Sequence, residues 1–113
     1  PLATWTPAQV DAARQLGTHL EDLPFPNVPP DADPDTIEDL AAETLKTLPA
    51  GTAHVMVAGE PCLATALVRE LQGQGIRCWS ATNVRDTDDL GDGTKLARFR
   101  FVQFREFPRI TWD

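Results

Sequence analysis

The residues whose types could do chemistry begin just after a short apolar run in the middle of the chain. Ala53 to Ala58 is nearly continuous in apolar residues, which is typical of a central strand covered on both faces. The turn Gly59-Glu60-Pro61 follows, and open α/β sheets usually bind ligands at the carboxyl ends of their strands. With one glycine and no lysine, the turn is neither a P-loop nor a dinucleotide fingerprint. Glu60 could complement the dipole of the next helix, or it could hold a ribose hydroxyl or orient a reacting group.

A second polar stretch, Ser80-Ala81-Thr82-Asn83-Val84-Arg85, closes the next predicted strand, Ile76 to Thr82. Because parallel strands end at the same edge of a sheet, we expect its side chains to emerge near Glu60. Two hydroxyls, an amide and a guanidinium suit phosphate groups and base edges, and arginine can bind phosphate bidentately. The alternative is ordinary turn chemistry at a strand end, with a surface salt bridge.

The last segment, KLARFRFVQFREF, carries three further arginines. Alternation places Arg98 and Arg100 on one face, whereas the face of Arg105 depends on the register, because Phe104 breaks the period of two. Either both faces are covered here or a bulge shifts the strand. The arginines could bind an anion, or they could protect an edge strand against aggregation.

Three amphipathic helices must position these residues. Thr6 begins the first as part of a capping box, and Gly17 ends it. Asp33 caps the second, which stops at Pro49-Ala50-Gly51, and the third runs from Pro61 to about Gln74. Their apolar spacing predicts a core built from Val10, Ala13, Leu16, Ile37, Leu40, Ala41, Leu45, Leu48, Leu63, Leu67 and Leu71.

The order of these elements predicts the fold class. Strand, helix and strand within about thirty residues form a right-handed crossover and imply a parallel pair. Gly91-Asp92-Gly93 then predicts a hairpin into the last strand. We therefore expect an α/β fold, a three-layer Rossmann-like arrangement with a mainly parallel sheet and a C-terminal antiparallel hairpin strand. The 113 residues fit a single domain, residues 1–113.

Composition limits the classes of function. The net charge of −7 argues against non-specific binding to long nucleic acids, but the charge is uneven. Residues 1–68 hold ten acidic and two basic residues, whereas residues 69–113 hold eight basic and seven acidic ones, so an anionic ligand should bind in the C-terminal half. No apolar run is long enough for a membrane helix, and we expect a cytoplasmic protein.

Cysteine and histidine residues suggest packing roles. We expect Cys62 and Cys78 to be reduced and buried as small apolar residues. His19 and His54 are isolated, so we expect neither a metal ion nor another cofactor. Trp5 and Trp79 are predicted to pack, and Trp112 could belong to an interface.

Taken in order, PLATWTPAQ, LPFPNVPP, the GEP turn, LVRELQGQGIRCWSATNVR and a DG hairpin before FRFVQFREFP resemble small CRISPR-associated proteins with a Rossmann-like, CARF-type domain. Some of these proteins are ring nucleases that act on cyclic oligoadenylate second messengers. Relatives begin with a strand that would precede Pro1, so the resemblance implies that an N-terminal strand is missing here. It also implies a homodimer that binds the ligand across two sheets.

The resemblance further implies a metal-independent cleavage, in which a ribose 2′-hydroxyl attacks the adjacent phosphate in line. Its catalytic residues would be Glu60, Arg85 and Ser80, and its ligand-binding residues Gly59, Pro61, Thr65, Thr82, Asn83 and Arg105. Two alternatives remain open. The chain could bind the same ligand without cleaving it, as a sensor or sponge, or it could be a protein-interaction module that uses the C-terminal strand.

Overall fold

A computed structural model of the chain describes residues 2–17 and 19–110. After a 3-10 turn at Leu2–Thr4, the elements are α1 (Pro7–Leu16), α2 (Pro34–Leu45), β1 (His54–Met56), α3 (Pro61–Gly73), β2 (Arg77–Asp89) and β3 (Lys95–Glu106). The three helices begin where the sequence predicts them, but α2 ends at Leu45, before the predicted stop at Pro49-Ala50-Gly51. β1 and β2 form the predicted strand pair. Trp112 lies outside the described residues.

The sheet is mixed and has three strands in the order β1-β2-β3. β1 pairs with β2 in parallel, Val55 facing Cys78 in the register, and β3 runs antiparallel to β2. The predicted three-layer Rossmann-like arrangement with a mainly parallel sheet is therefore wrong. β1 spans only three residues and the chain supplies a single crossover unit, so one parallel pair forms and the remaining strand returns by a hairpin.

The chain divides into two compact units. One contains residues 21–80 and 106–113, here called the helical unit, and includes α2, β1 and α3. The other contains residues 1–20 and 81–105, here called the ribbon unit, and includes α1 and most of the β2–β3 hairpin.

The core of the helical unit lies where α2 and α3 pack on the sheet. Its buried residues come from both helices, β1's C-terminal extension and β2, as helix-on-sheet packing requires. They are Ala41, Val57, Leu63, Ala66, Leu67, Val68, Leu71 and Cys78, with Ile37, Leu40, Leu45 and Leu48 packed against them. The helical periodicity of the sequence predicted the members from α2 and α3 other than Ala66 and Val68.

Local capping explains where the helices begin. The Thr6 hydroxyl accepts a hydrogen bond from the Gln9 N–H, and the Gln9 side chain accepts one from the Thr6 N–H, which is the predicted capping box. Asp33 accepts a 2.8 Å bond from the Thr36 N–H and begins α2 as expected. Within the described ranges, no helix combines the length and the apolarity needed to cross a bilayer.

In the ribbon unit, β2 and β3 form a long two-stranded ribbon. β2 was expected to end at Thr82 but continues to Asp89, and the Leu90 N–H donates to the Thr94 oxygen across the predicted Gly91-Asp92-Gly93 turn. The polar side chains of this stretch suggested a strand end. Hairpin pairing overrode that local preference, because β3 provides a partner along the whole segment.

Candidate functional site

The residues predicted for one site are divided between the two units. Gly59, Glu60, Pro61, Thr65 and Ser80 belong to the helical unit. The remaining four residues belong to the ribbon unit, and they are Thr82, Asn83, Arg85 and Arg105.

In the helical unit, Glu60 is the N-cap of α3. Its carboxylate accepts hydrogen bonds from the Cys62 N–H at 3.0 Å and the Leu63 N–H at 2.7 Å, and its carbonyl accepts one from the Ala64 N–H at 2.9 Å. Pro61 has no N–H. The N–H groups of Cys62, Leu63 and Ala64 are thus all bonded to Glu60, so none of these three is left for a phosphate.

The same bonds set the protonation of the carboxylate. The Leu63 N–H, followed by the Cys62 N–H, lowers the pKa of Glu60 below its usual range. A carboxylate held in this way is a poor proton acceptor and a fixed negative charge beside any approaching anion. Of the two roles considered for Glu60 in the sequence, its contacts support the role at the helix N-terminus.

Gly59 is required by a close contact within the protein. Its φ of +130° lies in a region that favours glycine, and a Cβ atom here would come within 2.6 Å of the Phe25 ring. Gly59 was predicted to bind the ligand, but the group that approaches it is an aromatic ring from the proline-rich loop of residues 24–33. Sequence pattern gave no signal that these two positions meet.

The hydroxyl groups predicted to bind a ligand are hydrogen-bonded within the chain. The Thr65 hydroxyl donates to the Pro61 oxygen at 2.8 Å, one turn back along α3. The Thr82 hydroxyl donates to the Gln103 oxygen at 3.0 Å and accepts from the Gln103 N–H at 3.2 Å. A hydroxyl has one proton to donate, so neither can donate to a phosphate without losing these bonds. Ser80 lies half-buried within β2.

The irregularity predicted for the last strand is present in the ribbon unit. Phe101 and Phe104 are three residues apart, which in a regular strand would put them on opposite faces. Their ring centroids are nevertheless 5.0 Å apart, and the Phe104 ring is 5.6 Å from that of Trp5. The alternation is therefore shifted between these two phenylalanines, and Arg105, next to Phe104, lies on the opposite face from both.

Two ion pairs define one face of the ribbon. Arg98 pairs with Asp88 at 3.3 Å and Arg100 with Asp86 at 3.4 Å, which confirms that the two arginines share a face. We call this the ion-pair face. Strand alternation adds the neighbouring even-numbered residues to it, and its members are Val84, Asp86, Asp88, Leu96, Arg98, Arg100 and Val102.

The opposite side of the ribbon, which we call the Arg85 face, carries Asn83, Arg85, Thr87, Ala97 and Phe99. Counted back from the Leu90–Thr94 hydrogen bond, the antiparallel register places Arg85 opposite Phe99. Phe99 is 74% exposed, and Asn83 and Arg85 are also exposed. Among the described residues, no acidic side chain lies within ion-pair distance of Arg85.

Sequence reasoning missed a polar and aromatic group in the helical unit. The Trp79 indole N–H donates to His54 Nδ1 at 3.1 Å, and the Arg77 guanidinium lies 4.9 Å from the Trp79 ring centroid. Arg77 also binds Glu106 bidentately, at 2.9 and 2.8 Å. This bond lowers the pKa of the Glu106 carboxyl. The only sequence signal was alternation along β2, which places Arg77 and Trp79 on one face.

Neither a metal centre nor a disulfide contributes to these groups. In the part of the chain that the structure describes, no group of three or more His, Cys, Asp or Glu side chains is placed to hold a metal ion. Both thiols are free; Cys78 is buried as predicted, but Cys62 is exposed, so its predicted burial is wrong. Cys62 is exposed because it lies in the first turn of α3, on the side facing water.

Comparison with known proteins identifies a family. The sequence model described as the Uncharacterized protein MJ1673 family matches residues 3–105. The chain belongs to this family. Searches of the curated proteins and of the solved structures found no match. The match of this MJ1673-family chain extends from the 3-10 turn to Arg105, and therefore includes α1, both helices of the helical unit and nearly all of the ribbon.

Proposed function

We propose that this MJ1673-family protein is a cytoplasmic binder of a small nucleotide ligand and that the ligand binds on the Arg85 face of the ribbon. One observation carries the proposal. Arg85, which has no acidic partner in the described part of the chain, lies opposite the highly exposed ring of Phe99. An exposed aromatic ring and an available guanidinium can bind the base and the phosphate of a nucleotide.

The two side chains suit different parts of a nucleotide. Arginine binds phosphate oxygens through a planar, bidentate set of donors. An exposed aromatic ring can stack on a base, and such stacking contributes about 1–3 kcal/mol per base in single-strand binding proteins. Asn83, two residues before Arg85 and on the same face, offers an amide that can pair with a base edge.

The resemblance to CARF-type proteins supplies the candidate ligand, a cyclic oligoadenylate. Its phosphates suit the Arg85 guanidinium and its adenine bases suit the Phe99 ring of a single copy. Two other ribbon arginines, Arg98 and Arg100, are already paired with aspartates. This difference favours Arg85 over those two as the phosphate ligand.

Binding without cleavage is the form of the proposal that the contacts support. The Glu60 carboxylate is held by backbone amides, and the protons of the Thr65 and Thr82 hydroxyls are donated to carbonyl oxygens. Acid–base catalysis would require these groups to break existing bonds. A sensor or a sponge for the ligand needs only the exposed Arg85 face.

Titration calorimetry with cyclic tetra-adenylate tests the proposal. We expect saturable binding, weakened at least tenfold by Arg85→Ala and roughly five- to hundredfold by Phe99→Ala. Arg100→Ala is the matched control, because it removes the same charge from the other face, and we expect less than a threefold change. The proposal is wrong if cyclic tetra-adenylate does not bind or if Arg100→Ala weakens binding as much as Arg85→Ala.

Chromatography of the same mixtures distinguishes binding from cleavage. We expect the cyclic ligand to remain intact during prolonged incubation. If linear products form with the unmodified chain and not with Arg85→Ala, the protein is a ring nuclease and not a sensor. In that case Glu60→Gln and Ser80→Ala would identify which of the predicted catalytic residues contributes to turnover.

A further inference from the structure

The ion-pair face presents an ordered charge pattern that the proposed nucleotide site does not use. Along β2 the charged residues are both acidic, Asp86 and Asp88, and along β3 they are both basic, Arg98 and Arg100. One edge of the face is thus negative and the other positive. The four charges of the two ion pairs cancel, in a chain whose net charge is −7.

Exposed apolar side chains lie among these charges. Val84 is 38% exposed, Leu96 44% and Val102 49%. These three side chains share one face with the two charge rows, and burial against a partner would stabilise each of them. Their position on the same face as the two charge rows indicates a surface that another protein covers.

The existing ion pairs leave the charges available to that partner. The four side chains are each more than half exposed, and pairs of this kind contribute only about 0–1 kcal/mol. A second set of opposite charges placed above them would turn two isolated pairs into a network. The partner should therefore carry a basic row above Asp86 and Asp88 and an acidic row above Arg98 and Arg100.

We propose that this partner is a second copy of the chain, docked face to face with its ribbon pointing in the same direction. A two-fold axis parallel to the strands places β2 of one copy above β3 of the other, so each acidic row meets a basic row. It also buries Val84, Leu96 and Val102 of both copies together. A two-fold axis perpendicular to the strands would instead place acidic rows above acidic rows, which electrostatic repulsion disfavours.

Charge-swap variants test this dimer, with analytical ultracentrifugation as the measurement and circular dichroism as a check of folding. We expect the unmodified chain to be a dimer that weakens as salt is added. Asp86→Arg with Asp88→Arg makes both rows basic, and Arg98→Asp with Arg100→Asp makes both rows acidic. Each double variant alone should be monomeric, whereas an equimolar mixture should form a heterodimer.

Two further variants keep the test decisive if a double variant folds poorly. The quadruple swap of all four residues restores both the ion pairs within the chain and the complementarity between copies, so it should remain dimeric. Val102→Ser leaves every charge in place and should weaken the dimer, whereas Thr87→Ala, on the Arg85 face, should not. A monomeric unmodified chain, or dimerisation of the folded double variants, would overturn the proposal independently of any nucleotide binding.

Discussion

The aromatic ring of Phe25 lies against the backbone of Gly59, so that a Cβ atom on Gly59 would come within 2.6 Å of Phe25 Cε1. The contact joins the proline-rich loop to the turn before α3. It explains why the turn contains a glycine although no phosphate-binding pattern surrounds it. Phe25 in turn packs against the core of the helical unit, so the glycine contributes to stability through the ring that it accommodates.

Gly59→Ala is expected to lower the free energy of unfolding by roughly 2–4 kcal/mol, because it combines backbone strain with steric overlap. Chemical denaturation followed by circular dichroism measures the change. Gly51→Ala is the control, since Gly51 also has a positive φ, of +82°, but no atom within 4 Å of the added Cβ, and it should cost about 1–2 kcal/mol. In a Phe25→Ala background the cost of Gly59→Ala should fall; an unchanged cost would show that the ring contact is unimportant.

Glu60→Gln is expected to lower the melting temperature at pH 7, and the difference from the unmodified chain should close in acid. The folded-state pKa of Glu60 is lowered by the Leu63 and Cys62 N–H groups. Its contribution to stability is therefore complete above the unfolded-state pKa and is lost as the pH falls through the folded-state value. Thermal unfolding at several pH values between 7 and 2 measures the effect.

Glu43→Gln is a matched control for this pH series. Glu43 pairs with Lys46 on an exposed face of α2, where such a pair contributes little, so the substitution should barely change the melting temperature at neutral pH. If Glu60→Gln has an equally small effect at neutral pH, its capping bonds do not stabilise α3.

Alkylation should distinguish the two cysteines. Burial, followed by the charge of Glu106, raises the pKa of the Cys78 thiol to about 11, whereas Cys62 is exposed. Iodoacetamide should therefore add a single label to the native chain, at Cys62, and two labels after unfolding. Intact mass spectrometry measures the count, and Cys62→Ser should abolish native labelling.

The rate of this labelling also reports on Glu60. A helix N-terminus usually favours the thiolate, but here the Glu60 carboxylate, through a hydrogen bond and its charge, raises the pKa of Cys62. Glu60→Gln should therefore speed the alkylation of Cys62 at mildly alkaline pH. Equal rates in the two proteins would contradict the proposed influence of the carboxylate, and rapid native labelling of Cys78 would contradict its burial.

The sequence-based predictions are accurate where the interacting residues are close together in the sequence, and less accurate where they are far apart. Thr6 and Asp33 were identified as helix caps because the groups they bond are only three residues away. The hairpin turn was equally local. The sheet arrangement depended on how many strands the chain could pair, and there the expectation of a three-layer, mainly parallel sheet was wrong.

The candidate site shows the same division. The polar types at Glu60 and Thr82 were visible in the sequence, but not that both are occupied by hydrogen bonds within the chain. The sequence also did not show that Phe99 is an exposed ring opposite Arg85. In the sequence it is one of several alternating aromatic residues, and its exposure opposite Arg85 follows from the hairpin register and from the shifted alternation farther along β3.

The sequence by itself determined the three helices, their caps, the buried faces of α2 and α3, the crossover between β1 and β2 and the hairpin turn. These features depend on residue type and on spacings of two to four positions. Only the tertiary structure decided the length of β2, the pairing of Gly59 with Phe25 and the separation of the ribbon into a face of ion pairs and a face with Arg85. Each of these depends on contacts with a segment that is distant in the sequence. The local spacing of residue types does not specify which segment that is.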